Sequence, residues 1–219
     1  MTAHDDSSAP RPDARDARAA LRAALRERRR AIGARERLDS AAAVASYLLP
    51  VLAGHAGHIG GYWAIGGELP LHAVQANLPA TLRWCLPVLQ ADGRLRFREW
   101  SAGQPLEANR HGIPEPSQGA LLDADALTVV LVPLLAFDAR GHRLGQGGGW
   151  YDRSFASRPQ DDRPGRAPQL AAAARPFLVG IGYDWQQVEP LAAEPWDVPL
   201  DAVATPSALH RFGDGPSAC

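Results

Sequence analysis

The ten-residue run TVVLVPLLAF at 128–137 restricts the possible folds of this chain more than any other segment. Its β-branched residues and leucines follow one another without polar alternation, which is typical of a strand buried on both faces of a mostly parallel sheet. Further strand patterns lie at 58–64, 83–89, 94–100, 177–183 and 201–205. A helix at 70–78 separates the first two. Strands that alternate with helices predict a three-layer α/β fold, with an open, mostly parallel sheet and helices on both faces.

The composition predicts one soluble domain. A chain of 219 residues that is 46% hydrophobic can bury one sizeable core, which we place at 14–212. A polar tail at 1–13 is expected to be disordered, 213–219 is expected to be a C-terminal tail, and the proline-rich segment 157–176 is expected to be a mobile loop. The formal net charge of −1 gives no general attraction to nucleic acid or to membranes. A cytoplasmic protein is expected, because no secretory signal pattern and no membrane-length apolar run occurs.

The residue types present also narrow the chemistry. All 23 basic residues are arginines, so Schiff-base catalysis by lysine is excluded. The two cysteines, Cys85 and Cys219, form neither a disulfide framework nor a metal-ligand cluster, and the histidines have no metal-ligand spacing. Cys85 lies in a strand pattern and is predicted to be a small buried hydrophobe.

Two helices are predicted near the N-terminus. The first begins at Asp13 and carries a basic stripe on one side, formed by Arg18, Arg22, Arg26 and Arg29. This stripe is either a solvated helix face or an anion-binding surface; nucleic acid is disfavoured, because no aromatic platform accompanies it. Asp39 or Ser40 is predicted to cap a second helix, which runs through 41–52 and bends or frays at Pro50.

The segment FDARGHRLGQGGGWYDR at 137–153 contains five glycines and three arginines in one bend. The bend follows the best strand and precedes a helix start, which is where open α/β sheets bind ligands. Glycines at 145 and 147–149 allow several N–H groups to converge on an anion, and Arg143 and Arg153 can add charge-assisted hydrogen bonds. A phosphate site is favoured, although the segment matches neither the P-loop nor the dinucleotide fingerprint. The alternative is a set of tight turns without a ligand.

Residues 133–153, PLLAFDARGHRLGQGGGWYDR, resemble the signature of the 5-formyltetrahydrofolate cyclo-ligase family, also called 5,10-methenyltetrahydrofolate synthetases. Further segments resemble other motifs of that family in the same order along the chain. They are RAALR at 18–22, GYWAIGGE at 61–68, HGIPEP at 111–116 and PWDVPLDAVAT at 195–205. The resemblance therefore extends from Arg18 to Thr205.

This resemblance implies an enzyme that uses ATP and Mg²⁺ to cyclise 5-formyltetrahydrofolate to 5,10-methenyltetrahydrofolate, releasing ADP and phosphate. A formamide oxygen is a poor leaving group, so ATP would first phosphorylate it, and N10 would then displace phosphate. Such a reaction needs positioning and charge neutralisation rather than an enzyme nucleophile. The sequence agrees, since it contains no Gly-x-Ser-x-Gly elbow.

The resemblance also implies an ATP site and a metal site. Arg143 is expected to stabilise charge on the transferred phosphoryl group. The residues expected to bind ATP are Arg18, Arg22, Arg143, Leu144, Gly145, Gln146, Gly147, Gly148, Gly149, Trp150 and Tyr151. Asp152 and Asp197 match acidic positions expected to hold Mg²⁺, which prefers carboxylate oxygens. Without the resemblance, Asp152 reads as a helix-start residue and Asp197 as a turn residue.

The folate site implied by the resemblance lies at 62–68. The residues expected to bind the substrate are Tyr62, Trp63, Glu68, Gln146, Gly147, Gly148, Gly149 and Trp150. The aromatic rings would pack on the pterin, and the Glu68 carboxylate would accept its N–H groups. By themselves, Tyr62 and Trp63 read as core residues of a strand. Three positions depart from the family pattern: Pro70 replaces an aspartate, Trp150 a tyrosine and Arg18 a lysine.

Two other functions fit the same scaffold. Sugar-phosphate isomerases and acyl-CoA transferases use similar open α/β folds, and fold alone does not decide function. An isomerase would, however, need a placed carboxylate or lysine base. A non-catalytic relative that binds nucleotide or folate is the second alternative. The expected partners of the protein are small molecules, and the protein is expected to be a monomer.

Overall fold

The computed structural model describes residues 14–157 and 176–212. The tails expected at 1–13 and 213–219, nearly all of the loop expected at 157–176, and Cys219 lie outside the described residues. No helix in the described ranges is long and apolar enough to cross a membrane.

Helices and strands alternate through the described chain. The helices are α1 (Ala14–Arg30), α2 (Ala34–Leu52), α3 (His72–Ala76) and α4 (Trp150–Ser154). The first six strands are β1 (Gly57–Gly60), β2 (Leu82–Leu89), β3 (Leu95–Glu99), β4 (Leu106–Ala108), β5 (Pro114–Pro116) and β6 (Leu122–Asp123). The others are β7 (Val129–Pro133), β8 (Ala136–Phe137), β9 (Arg143–Leu144), β10 (Phe177–Ile181), β11 (Ala202–Ala204) and β12 (Leu209–Arg211).

Eight strands form the main sheet, in the order β12-β11-β10-β7-β1-β2-β3-β6. The five central strands β11, β10, β7, β1 and β2 are parallel, and the edge pairs are antiparallel. The strand predicted from the apolar run, β7, lies in the middle, with Val130 paired to Leu178 on one side and Gly60 on the other. The predicted open, mostly parallel α/β sheet is thus confirmed.

Alternate residues of β7 enter two separate cores. Val129 and Leu131 pack with the buried face of α2 and with α3, whereas Val130 and Val132 face a second core that includes Phe137 and Phe155. The helix α4 packs beside β3 over this second core. Both faces of the sheet are therefore covered, which explains why β7 carries no polar residue.

Helix α1 lies across the carboxyl end of the sheet rather than on either face. Its Leu25 packs against Leu135 and Leu144, which follow β7 and end the β8–β9 hairpin. The apolar side of α1 therefore holds the helix against this hairpin. The arginine stripe on α1 is in turn brought to the edge where parallel strands end.

Three local predictions are wrong in detail. The run 128–137 is not one strand: β7 leaves the main sheet after Pro133, which has no N–H for the ladder, and β8 pairs with β9 in a separate hairpin. Neither Asp39 nor Ser40 caps α2, because the helix already begins at Ala34. Asp39 lies inside the helix, where it pairs with Arg35 one turn earlier. The strand predicted at 58–64 ends at Gly60.

Candidate active site

A cavity of about 1230 Å³ opens at the carboxyl ends of the parallel strands. It is lined by α1, the loop after β1, the β4–β5 hairpin, the glycine-rich loop (residues 145–149), α4 and the segment 194–197. All but one of the residues expected to bind ATP, folate or metal line this cavity. The exception is Leu144, which is fully buried in the core between α1 and the β8–β9 hairpin.

The glycine-rich loop is positioned by short, well-anchored elements on both sides. The hairpin β8–β9 fixes its start, and Gly149 begins α4 in the left-handed region with φ of 65°. A side chain at this position would be strained, and its Cβ would lie 2.6 Å from a guanidinium nitrogen of Arg153. The loop thus approaches the arginines around it more closely than a loop with side chains could.

The stripe on α1 is an interior surface of the site and not a solvated face. Arg22 Nε donates to the carbonyl of Gly145 at 3.1 Å. Arg26 donates to both the carbonyl and the side-chain oxygen of Gln146, at 2.6 and 2.9 Å. This packing buries part of Arg22 and places it close to Arg18 and Arg26. Burial lowers the pKa of Arg22, and the charges of Arg18 and Arg26 lower it further. A concentration of positive charge beside backbone N–H groups suits a polyanion.

Arg143 is buried between the glycine-rich loop and the segment after Asp197. Its guanidinium donates to the carbonyl of Val198 and to Oδ1 of Asp152, the latter at 2.6 Å. The same Oδ1 accepts from the N–H of Val198 at 3.1 Å. Arg143 and Asp152 therefore hold the backbone at residue 198 from both sides, and they fix the neighbouring Asp197 with it.

The two aspartates expected to hold Mg²⁺ both face the cavity. Asp197 Oδ2 accepts from Arg18 at 3.1 Å and from the N–H of Glu194 at 3.0 Å. Within residues 14–157 and 176–212, Oδ2 of Asp152 and Oδ1 of Asp197 carry no hydrogen bond. No group of three metal-ligating side chains occurs in these ranges. Two carboxylates fit Mg²⁺, which usually keeps several waters and takes substrate phosphates as its other ligands.

The segment 62–68 forms another wall of the cavity. Tyr62 is buried, and its hydroxyl donates to the carbonyl of Leu69 at 2.7 Å. Trp63 is 39% exposed and meets Trp100 edge to face. Glu68 is 8% exposed and lies 3.4 Å from a guanidinium nitrogen of Arg29. Because β1 ends at Gly60, Tyr62 and Trp63 are loop residues beside the cavity and not strand residues. Tyr62 is nevertheless part of the buried core, as expected, whereas Trp63 is not.

Trp150 lies where the glycine-rich loop meets the β4–β5 hairpin. The guanidinium carbons of Arg110 and Arg153 each lie 5.4 Å from its ring centroid, and His111 approaches it edge-on. The ring is thus held by cation–π contacts from two elements. Next to it, Tyr151 is partly buried, and burial raises the pKa of its phenol, so the ring stays neutral.

Several lining residues were not assigned a role from the sequence. Glu115 accepts from the N–H of Leu89 and from Asn109, so it fixes the hairpin at the cavity wall. Trp196 is 64% exposed at the rim. Arg29 was visible only as a member of the stripe, since helical spacing shows which residues share a face but not which of them becomes buried.

Fold and cavity together define the class of this protein. It is an α/β protein in which arginines, a glycine-rich loop and a buried carboxylate line one cavity at the carboxyl edge of the sheet. Such a cavity can hold a phosphorylated co-substrate beside a second ligand.

Comparison with known proteins gives the family. The model of the 5-formyltetrahydrofolate cyclo-ligase family matches residues 14–206. The chain is 33% identical over 196 residues to the 5-formyltetrahydrofolate cyclo-ligase of Escherichia coli K12, covering 86% of this chain and 100% of that relative. It is 30% identical over 195 residues to the enzyme of that name from Mycolicibacterium smegmatis, covering 85% and 92%. The chain therefore belongs to the 5-formyltetrahydrofolate cyclo-ligase family.

Solved structures agree with this assignment. The NMR structure of the 5,10-methenyltetrahydrofolate synthetase of Aquifex aeolicus matches with a TM-score of 0.73 and 25% identity, covering 92% of this chain and 96% of that chain. A 5,10-methenyltetrahydrofolate synthetase from Mycoplasma pneumoniae matches with a TM-score of 0.62 and 21% identity, covering 86% and 98%. The second match supports the fold alone.

Proposed function

We propose that this protein is an ATP- and Mg²⁺-dependent ligase that closes the formyl group of 5-formyltetrahydrofolate onto N10, giving 5,10-methenyltetrahydrofolate, ADP and phosphate. One observation carries the proposal beyond family membership. A single cavity is lined by the arginine-bearing face of α1, the glycine-rich loop and Glu68. Both substrates can therefore meet in one site.

In this proposal the nucleotide phosphates bind the glycine-rich loop. Arg22 and Arg26 each donate to a carbonyl of that loop, and Arg18 donates to Asp197. Because a guanidinium has five N–H donors, each of these arginines has further donors for phosphate oxygens. Arg143 uses two of its donors to hold Val198 and Asp152. Its remaining donors would stabilise the charge on the transferred phosphoryl group.

The proposed reaction has two steps. The formyl oxygen attacks the γ-phosphorus of ATP, and ADP leaves. N10 then bonds to the formyl carbon, the carbon–oxygen bond breaks, and phosphate departs with that oxygen while N10 loses its proton. Neither step needs a covalent bond to the enzyme, so the task of the protein is to align three reacting groups and neutralise charge.

Asp152 and Asp197 are the residues that would hold Mg²⁺, through the carboxylate oxygens that accept no hydrogen bond from the described part of the chain. When bound, the ion would neutralise charge on the phosphate oxygens. A monomer in the cytoplasm as the working form remains a prediction.

A direct assay tests the proposed function. Purified protein is incubated with 5-formyltetrahydrofolate, ATP and Mg²⁺, and the absorbance of the methenyl product and the ADP released are followed together. We expect one ADP per product, and no product when ATP is omitted. Binding of both ligands to folded protein without turnover would instead identify a non-catalytic relative. Arg35→Met, on the outer surface of α2, is a suitable control, because its side chain pairs only with Asp39 among the described residues.

A further inference from the structure

Arg29 is a buried cation in the cavity wall to which the reaction above gives no task. Its side chain is 3% exposed. Nε donates to the carbonyl of Gly66 at 3.0 Å, and a terminal nitrogen donates to the carbonyl of Leu134 at 3.3 Å. That terminal nitrogen also lies 3.4 Å from Oε1 of Glu68. Burying a guanidinium is costly unless it is paired, so this arrangement calls for a function.

The Glu68 carboxylate has a partner at each oxygen. Oε2 accepts from the N–H of Ile65 at 3.1 Å, and Oε1 faces Arg29. Gln146 also donates to Oε1, but at 3.4 Å, which is beyond the usual length of a strong hydrogen bond. A ligand with good donors can therefore displace Gln146 without loosening the carboxylate.

Arg29 also holds the loop that carries Glu68. Gly67 has φ of 82°, and a Cβ there would lie 2.4 Å from the carbonyl oxygen of Arg29. The loop thus packs directly on the backbone of α1, and the Arg29 side chain bonds the carbonyl of Gly66 beside it. Tyr183 donates to the carbonyl of Gly67 at 3.2 Å from the opposite direction. A change at residue 29 would act on Glu68 through both charge and position.

We propose that Arg29 is the positioning residue that holds the Glu68 carboxylate ionised and oriented to receive the N–H edge of the folate pterin. That edge presents a ring N–H and an amino group side by side, and two carboxylate oxygens accept such a pair. The proposal rests on the proposed function, because it assumes that folate is the ligand beside Glu68. Arg29 itself need not touch substrate.

The electrostatics around Glu68 support this role. Burial raises the pKa of Glu68, and the Arg29 guanidinium opposes that rise, with smaller help from the N–H of Ile65 and from Gln146. Burial raises the pKa of the Tyr62 and Tyr151 phenols, and the nearby charge of Glu68 raises both further, so the two phenols stay neutral. Without Arg29, only the smaller effects of Ile65 and Gln146 would oppose burial, and the carboxyl group of Glu68 would hold its proton to higher pH.

The test compares two variants. Arg29→Met keeps most of the side-chain length but removes the charge, and Arg29→Lys keeps the charge but removes the planar guanidinium with its several N–H donors. Dissociation constants for 5-formyltetrahydrofolate are measured calorimetrically between about pH 5 and pH 8, without ATP. We expect Arg29→Met to weaken the binding of 5-formyltetrahydrofolate about tenfold or more at pH 7. The acid limb of the binding profile, that is, the pH range in which affinity falls as Glu68 is protonated, should move upward by about one to three pH units. Arg29→Lys should restore the position of the acid limb. The KM for ATP should stay within about twofold.

Arg28→Met is the matched control, since Arg28 lies on the same helix and stacks on Trp185 outside the cavity. A ¹³C NMR titration of the Glu68 carboxyl, assigned with Glu68→Gln, reads the electrostatic effect without any ligand. A higher pKa of Glu68 in Arg29→Met supports the proposal. Folded Arg29→Met with an unchanged Glu68 titration and an unchanged binding profile would overturn it. Wild-type protein that binds no 5-formyltetrahydrofolate at any pH would overturn the proposed function itself, and this inference with it.

Discussion

Arg143 joins the expected phosphate site to the expected metal site, because one guanidinium contacts both Asp152 and the backbone beside Asp197. We therefore expect Arg143→Ala to lower kcat about 10²- to 10³-fold, as loss of a donor to developing charge does in other enzymes. The KM for 5-formyltetrahydrofolate should change less than about threefold. Steady-state kinetics on protein checked by thermal unfolding measure both. Equal losses in kcat and in folate affinity would show that Arg143 acts elsewhere.

Asp152 provides a second prediction at this scale. Asp152→Asn removes the charge of one expected metal ligand while keeping its size, so we expect the Mg²⁺ concentration for half-maximal activity to rise about tenfold. The measurement is a Mg²⁺ titration of activity at saturating ATP. Asp123→Asn is the control, since Asp123 is an exposed partner of Arg96 and does not line the cavity. A titration identical to wild type would remove Asp152 from the metal site.

Individual site residues could be predicted from the sequence to an uneven degree. The charged and glycine positions of 143–152 could be named because chemistry restricts the residue types there, and they line the cavity. Leu144 was expected at the ATP site, yet it alternates with Arg143 on a two-residue strand and therefore points into the core. Arg29 was missed as a site residue because its burial depends on the loop after β1, whose path the sequence does not show.

Helix α1 is the element that completes the site. It packs on the β8–β9 hairpin through Leu25 and bonds the glycine-rich loop through Arg22 and Arg26. We expect Arg22→Met to raise the KM for ATP about tenfold and to leave the KM for folate within about twofold, because Arg22 contacts the glycine-rich loop and not Glu68. Kinetics with each substrate varied in turn measure this, with Arg28→Met as the control. A rise confined to the folate KM would contradict the assignment.

Elements were predictable where one physical signal dominates. β7 and β10 are unbroken apolar runs buried on both faces, and both were found. The start of α2 was placed too late because capping preference was weighed above the helix-forming residues at 34–38. The hairpin β4–β5 was not predicted from the sequence, since its strands have only three residues each, two of the three residues of β5 are prolines, and β5 packs against β2.

At the scale of the whole molecule, the Asp138 carboxylate connects its own turn at 138–142 with Leu191, which is distant in sequence. Its buried carboxylate accepts from the N–H groups of Arg140 and His142, from the His142 ring and from the N–H of Leu191. Although burial opposes ionisation, these donors lower the pKa of Asp138 in the folded state. A lowered pKa stabilises the fold above the ordinary aspartate pKa, and that stabilisation is lost as the pH falls through the folded value.

We therefore expect Asp138→Asn to reduce the free energy of unfolding at pH 7 by about 1–3 kcal/mol, because buried donors lose a charged acceptor. The difference in the free energy of unfolding between wild type and Asp138→Asn should narrow as the pH falls below about 4, where the carboxyl group begins to be protonated. Urea unfolding at a series of pH values measures this, with Asp123→Asn as an exposed control. A gap that is the same at every pH would mean that the Asp138 charge does not stabilise the fold.

The central claim is that one cavity at the carboxyl edge of the sheet holds the nucleotide phosphates and the folate together. A crystal structure of the protein with a non-hydrolysable ATP analogue and 5-formyltetrahydrofolate tests it most directly. The account predicts phosphates against the backbone of 145–149 beside Arg22 and Arg143, with the pterin edge on Glu68. Phosphates bound outside the glycine-rich loop, or a pterin that does not contact Glu68, would contradict it.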